Sequence, residues 1–103
     1  MMIARWQFTA KFGHKQEAID LIEEWNKQIG VQTNIDVSKA RIVTGSVGAS
    51  EGLVENEMEI DGLKDLDDFF TKIASIKMHG EWGTKMGEVI VSGSTRWEVF
   101  RVV

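Results

Sequence analysis

Hydrophobic residues change their spacing at Gly13, and this change constrains the fold more than any other feature of the sequence. From Met2 to Phe12, apolar and polar side chains alternate, which is the two-residue period of a half-buried strand. After Gly13, apolar residues recur at steps of three and four as far as Ile29, as in an amphipathic helix. Gly30 is predicted to end this helix as a left-handed cap. The segment therefore indicates a strand and a helix that share one core.

The rest of the chain repeats both periods. Strands are predicted for residues 39–48 and 52–61, joined by a short glycine-containing hairpin loop. Helical spacing returns over residues 63–76, where aspartates in the early turns suit the positive end of the helix dipole. Residues 95–103 have the β-branched and aromatic content of a last strand. Residues 85–91 fit a short helix and a short strand equally well.

The order strand, helix, strand, strand, helix, strand predicts an α+β fold of the ferredoxin-like βαββαβ type. In this two-layer sandwich, two helices cover one face of a four-stranded antiparallel sheet. The 103 residues are enough for one such domain, spanning 1–103, and too few for two cores. Hydrophobic residues at 43% and charged residues at 27% are ordinary for a globular chain, so we expect a single compact unit.

Composition limits the partners and cofactors. A net charge of −4 without a local cluster of lysines and arginines argues against a nucleic-acid partner. The chain has no cysteine and only two histidines, so we expect no metal site and no cofactor. No apolar run approaches the length of a membrane span, and the first residues lack a signal-peptide pattern. We therefore expect a cytoplasmic protein with no membrane partner.

The sheet face that the helices leave uncovered is predicted to be charged. Arg5 and Gln7 of the first strand would lie beside the alternating glutamates of Glu55–Glu59, because the two strands are neighbours in the expected order. Phe100 and Val102 of the last strand would point to the same side. Since exposed apolar surface of this kind usually marks an interface, we expect a homodimer whose uncovered faces meet around a partly polar space.

Three segments resemble one family: ARWQFTAKFGHKQEAIDLIEEW, LDDFFTKIASIKMHGEW and STRWEVFRVV. They are similar to the dimeric α+β barrel superfamily, which includes the antibiotic-biosynthesis-type monooxygenases and many uncharacterised relatives. The resemblance covers nearly the whole chain in pattern. It implies a dimer built around a β-barrel, with a pocket for a small molecule between the sheet and the helices.

The resemblance also implies candidate site residues. Members that attack quinols or haem without a conventional redox cofactor commonly use an asparagine on strand one, a histidine on helix two and a nearby tryptophan. His79 and Trp82, in MHGEW, fall in the corresponding region, so His79 is the candidate catalytic residue and Trp82 a candidate ligand contact. Arg5 and Gln7 are further candidate ligand contacts. The first strand contains no asparagine, which favours binding over catalysis.

Three functions therefore remain open. The first is a homodimer that binds a small, flat or apolar organic molecule between the sheet and the second helix. The second is a cofactor-independent monooxygenase of the quinol or haem type, and the third is an interaction module without a ligand. Each candidate residue could also have a purely structural role. A histidine at a helix end can bond the terminal carbonyls, and tryptophans usually pack in a core or an interface. Trp6 and Trp25 are predicted to be packing residues.

Replacing Arg5 with alanine is expected to weaken the dimer or the fold. Glutamates enclosed by a partner without a compensating cation would be very costly, so Arg5 is expected to neutralise part of their charge. The melting temperature and the mass in solution measure this effect. If both values equalled those of the wild type, the predicted charge pairing would be contradicted.

Overall fold

Four β-strands form a single antiparallel sheet, and three α-helices pack on one of its faces. The structure, a computed structural model, describes all residues from 1 to 103. The elements are β1 (Met2–Thr9), α1 (Lys15–Gln28), β2 (Arg41–Thr44), β3 (Leu53–Ile60), α2 (Leu63–Ala74), α3 (Lys77–Gly87) and β4 (Arg96–Arg101). The strand order β2-β3-β1-β4 confirms the predicted ferredoxin-like α+β fold, with one helix more than expected. None of the three helices combines the length and the apolar composition that a membrane crossing needs.

The register of the central strand β1 separates the two faces of the sheet. Trp6 lies opposite Asn56 of β3 and Trp97 of β4, and these three residues share the face that packs against the helices, here called the helix face. Arg5 lies opposite Glu57, and both belong to the other side, here called the open face. Because side chains alternate along a strand, this pairing assigns every strand residue to one face or the other.

The core lies between the helix face and the helices, in two adjoining clusters. The first contains Met2, Ala4, Trp25, Ile29, Ile35, Met58, Ile60, Leu66 and Phe69. The second contains Phe8, Ala10, Ala18, Ile22, Val54, Met86, Val89 and Ile90. The predicted inward positions of β1 and β3 are thus confirmed. Trp6 differs from the other inward residues of β1, because it is only partly buried and packs at the boundary of the second cluster.

The MHGEW segment forms a separate helix rather than the frayed end of the preceding one. α2 ends at Ala74, and Ile76 adopts an extended conformation with φ of −95° and ψ of 109° before α3 begins. The glycines of this segment suggested a helix end, since glycine costs a helix about 1 kcal/mol relative to alanine. Packing of Trp82 and the buried Met86 against the core stabilises α3 despite that cost.

Residues 85–91 contain the end of a helix and a single bridge residue, but no strand. α3 continues to Gly87, Glu88 and Val89 form a turn, and only Ile90 pairs with a strand. Ile90 forms an isolated antiparallel bridge with Ala10, and the amide of Lys11 donates to the carbonyl of Val89 at 2.8 Å. The segment therefore closes one end of the core beside β1.

The loop between β2 and β3 is longer than predicted, because β2 ends at Thr44 instead of extending to residue 48. A Cβ atom at Gly45 would lie 1.6 Å from the carbonyl oxygen of Ser50, so no larger residue fits there. Gly48 has a φ of +82°, which favours glycine. These constraints end the strand pairing and shape the hairpin loop.

The predicted left-handed cap at Gly30 is wrong, since its φ is not positive. α1 ends at Gln28, and Gly30 begins a short 3-10 turn. A Cβ atom on Gly30 would lie 2.5 Å from Cγ1 of Val37 and 3.0 Å from Cζ3 of Trp25. The glycine is therefore required by close packing and not by its backbone conformation.

Replacing Gly30 with alanine is expected to lower the free energy of unfolding by about 1 to 3 kcal/mol, because the added methyl group overpacks the site. Gly83→Ala is the matched control. Gly83 is exposed within α3, and a Cβ atom there meets no heavy atom within 4 Å. This control should gain up to about 1 kcal/mol, since alanine favours a helix. Denaturant titrations measure both values, and a Gly30→Ala variant as stable as the wild type would contradict the packing argument.

Candidate functional site

An aromatic cavity lies between the helix face and the helices. Its volume is about 270 Å³, and eleven residues line it, nine of them hydrophobic. They are Trp6, Ile22, Trp25, Asn56, Met58, Phe69, Phe70, Ile73, His79, Trp82 and Trp97. All four tryptophans of the chain are among them, and none of the lining residues carries a permanent charge. The cavity is therefore suited to a flat, apolar molecule.

The rings around the cavity contact each other in tilted and edge-to-face arrangements. Trp82 lies 5.7 Å from Trp6 and 6.2 Å from Trp25, measured between ring centroids. On the opposite wall, the rings of Phe70 and Trp97 meet edge to face at 5.2 Å. Aromatic pairs in such geometries stabilise each other beyond the burial of their area. The cavity walls are thus held by ring packing that does not depend on a ligand.

Two indole hydrogen bonds fasten α3 to α1. Nε1 of Trp25 donates to Nδ1 of His79 at 3.0 Å, and Nε1 of Trp82 donates to the carbonyl oxygen of Leu21 at 2.7 Å. The imidazole of His79 also stacks on Trp82, with 5.7 Å between centroids and 23° between planes. The two predicted site residues, His79 and Trp82, are therefore brought together and are both oriented by α1.

The contact with Trp25 fixes the tautomer of His79. Because Nδ1 accepts a hydrogen bond, the proton of the neutral ring is on Nε2. Nε2 forms no hydrogen bond within the chain. Burial lowers the pKa of His79 below its ordinary value of 6.5. At neutral pH, His79 therefore offers the cavity a neutral ring with an unpaired N–H donor.

Asn56 is a lining residue that the sequence analysis did not select. It lies on β3 with 5% of its surface exposed. Its Nδ2 donates to Oδ1 of Asn26 on α1 at 3.0 Å, and Nδ2 of Asn26 donates back at 3.4 Å. Asn56 is the one polar residue in the apolar series of β3, and this was the signal in the sequence. Its partner on α1 could not be identified without the tertiary structure.

Arg5 and Gln7 lie on the open face and do not line the aromatic cavity. Nε of Arg5 is 2.9 Å from Oε1 of Glu57, and Nη2 of Arg41 is 2.7 Å from Oε2 of the same carboxylate. The guanidinium carbon of Arg5 lies 4.5 Å from the ring centroid of Phe100. The predicted pairing of Arg5 with a glutamate of β3 is confirmed. A ligand contact at Arg5 stays a prediction, for a space other than this cavity.

Gln7 belongs to a second polar group on the open face. It is only 3% exposed, its Oε1 accepts from Nε of Arg96 at 2.9 Å, and its Nε2 donates to Glu98. Three arginines and three glutamates lie on this face in two separate groups, which together are called here the charge-balanced network. They are Arg5, Arg41, Arg96, Glu55, Glu57 and Glu98. A ligand contact at Gln7 likewise stays a prediction.

No protein-family model matches the sequence, and no curated protein matches it. Solved structures are similar in fold. A NIPSNAP family protein from Agrobacterium tumefaciens has a TM-score of 0.77 and 14% identity, and the match covers 99% of this chain and 85% of that one. A protein from Nitrosomonas europaea, provisionally named an antibiotic biosynthesis monooxygenase, has a TM-score of 0.70 and 7% identity over 100% of this chain and 99% of its own.

A protein from Caulobacter crescentus with the same provisional name has a TM-score of 0.68 and 11% identity, over 99% of this chain and 89% of that one. At these identities the likeness establishes the fold alone. The chain has a ferredoxin-like α+β fold, which it shares with these solved structures.

Proposed function

We propose that the protein binds a small, flat, largely apolar organic molecule in the aromatic cavity. The observation that carries this proposal is a space of about 270 Å³ walled by all four tryptophans, with the unpaired Nε2–H of His79 at its edge. The volume suits a molecule of one or two rings.

Binding would combine ring contacts with one hydrogen bond. Each Å² of apolar ligand surface removed from water contributes about 25 cal/mol, before the entropy lost on association is subtracted. His79 would donate from Nε2 to an oxygen or nitrogen acceptor of the ligand. Trp82 would supply a ring surface beside that contact, because it stacks on the imidazole. The ring walls are already in place, which reduces the cost of ordering the site.

The proposal includes a homodimer formed through the open face. Three arginines and three glutamates balance the charge of this face, although Nε of Arg5 is buried without a hydrogen-bond partner. Phe100 is 43% exposed and Val43 is 38% exposed on the same face. Paired charges can be covered by another surface at a lower cost than isolated ones, and exposed apolar groups favour such a contact. A second copy of the chain brings the same self-complementary surface. Arg5 and Gln7 would then face the space enclosed between the two copies.

A cofactor-independent monooxygenase is the second candidate, because His79 and Trp82 line the same cavity and two structural neighbours are provisionally named antibiotic biosynthesis monooxygenases. A general base needs a free lone pair, however, and the Nδ1 lone pair of His79 is occupied by Trp25. Base catalysis would require that this bond break and the tautomer change. Oxygen uptake with quinols by the wild type, abolished in His79→Ala, would favour this candidate. A ligand-free interaction module would leave the cavity unexplained.

Replacing His79 with phenylalanine is expected to weaken the binding of 1-indanone, a two-ring aromatic ketone, about fivefold. The ring shape is kept, but the N–H donor is lost, and a hydrogen bond of this kind contributes about 1 kcal/mol. Protein NMR titrations measure the affinity. His14→Phe is the matched control, because His14 is the other histidine and lies exposed beside Glu17. Equal affinities for all three proteins would contradict the role of His79, and no binding by the wild type would contradict the cavity as a site for such a ligand.

The pH dependence of stability should report the partial burial of His79. Its pKa is lower in the folded protein than the ordinary 6.5, so the unfolded chain binds a proton that the folded one resists. This contribution to stability is present above pH 6.5 and is lost as the pH falls through the lower folded pKa. The stability of the wild type should therefore fall more steeply than that of His79→Gln between pH 7 and pH 5. Denaturant titrations at each pH measure both stabilities. If the stabilities of the two proteins fell equally between pH 7 and pH 5, the lowered pKa of His79 would be contradicted.

A further inference from the structure

Asn56 places a carboxamide in the sheet wall of the aromatic cavity. The other residues that the sheet contributes to this wall are Trp6, Met58 and Trp97. With 5% of its surface exposed, Asn56 has little contact with solvent, so its hydrogen-bonding groups are satisfied by the protein or by a cavity occupant. Asn26 is the single protein partner of its side chain.

The pairing with Asn26 uses only part of the capacity of the amide. A primary amide has two N–H donors and an oxygen with two lone pairs. The reciprocal bonds between Asn56 and Asn26 use one donor and one lone pair of each side chain. One N–H and one lone pair of Asn56 therefore have no partner in the chain. Asn26 does not line the cavity, so Asn56 alone can present these groups to a ligand.

Fold stability does not explain the presence of this amide pair. Asparagine is depleted in strands, and the neighbouring inward residues of β3, Val54 and Met58, are apolar and buried. Two hydrogen-bonded groups can be replaced together by apolar groups of similar shape with little change in stability. An apolar pair at positions 26 and 56 would therefore serve the core as well. The carboxamide is thus better explained by what it contacts in the cavity.

We infer that Asn56 determines ligand specificity in the aromatic cavity, selecting an uncharged aromatic molecule with a hydroxyl or amide group over an apolar one of the same shape and over an anion. This inference rests on the proposed ligand-binding function. A hydroxyl or amide group both donates and accepts, which matches the unused N–H and lone pair of Asn56. The ligand class follows from the chemistry of the amide and from the charges of the cavity.

The cavity disfavours an anion because it contains no cation. None of its eleven lining residues carries a permanent charge, and burial keeps His79 neutral at pH 7. The arginines of the charge-balanced network lie on the open face, across the sheet, and are paired with glutamates there. A carboxylate in the cavity would lose its hydration without gaining a counter-charge. The absence of a cation therefore selects neutral molecules over anions, and the amide selects among the neutral ones.

The test compares three ligands of one shape, naphthalene, 2-naphthol and 2-naphthoate, at pH 7. We expect the wild type to bind 2-naphthol about 2- to 10-fold more tightly than naphthalene, the range that one added hydrogen bond gives. 2-Naphthoate should bind at least about 10-fold more weakly than naphthalene, because its charge is desolvated without compensation. Protein NMR titrations give the three affinities.

Two variants separate recognition from packing. In Asn56→Leu the preference for 2-naphthol should fall at least about twofold while the affinity for naphthalene is retained, because only the hydrogen bond from His79 then remains. In Asn26→Leu, the matched control, the preference should remain, because Asn56 still presents its amide. If Asn56→Leu fails to fold, Asn26→Leu/Asn56→Leu replaces it, since removing both partners leaves neither amide unpaired. In that double variant the preference should fall by a similar factor.

Each other outcome overturns part of the account. A preference for 2-naphthol that is undiminished in the Asn56 variants, or that falls equally in Asn26→Leu, would overturn the inference and leave the proposed binding function intact. Binding of 2-naphthoate as tight as that of naphthalene would do the same. If the folded wild type bound none of the three ligands, both the inference and the proposed function would fall.

Discussion

The hydrogen bond from the indole of Trp25 to Nδ1 of His79, 3.0 Å long, supports the rest of the site. α3 has no side-chain cap at its start and contains glycines at 80, 83 and 87, so its own helix propensity is low. Its position depends on contacts with the other elements, of which this bond and the one from Trp82 to Leu21 are the most directional. By holding α3 against α1, they complete the wall of the aromatic cavity and direct the polar side of His79.

The two faces of the sheet carry opposite kinds of side chain, although the same strands form both. On the helix face, rings and aliphatic side chains exclude water, and the polar groups are few and individually placed, as with Asn56 and His79. On the open face, charge is abundant, but it is cancelled locally, since Glu57 contacts both Arg5 and Arg41. The first arrangement suits an uncharged small molecule, whereas the second suits another protein surface. The proposed ligand site and the proposed dimer contact are therefore separated by the thickness of the sheet.

Much of the fold could be predicted because its signals are local. Alternation along β1 and β3 assigned the buried and open sides, and the expected neighbourhood of these strands was enough to pair Arg5 with a glutamate. Features that depend on tertiary contacts could not be predicted. Gly30 is required by the approach of Val37 and Trp25, which no local pattern encodes. α3 forms because its apolar residues reach the core, although its glycines indicate a helix end.

The same distinction holds for the cavity. His79 and Trp82 were selected through a family resemblance, and the structure brings them together. Their orientation, however, comes from contacts with α1, and Trp25 of this helix is 54 positions from His79 in the sequence. The hydrogen bond between Trp25 and His79 is tested most directly by the ring nitrogen NMR spectrum of His79 at pH 7. We predict a neutral ring protonated at Nε2, with a Trp25 indole proton shifted by hydrogen bonding. A protonated imidazolium, or a ring protonated at Nδ1, would contradict the account.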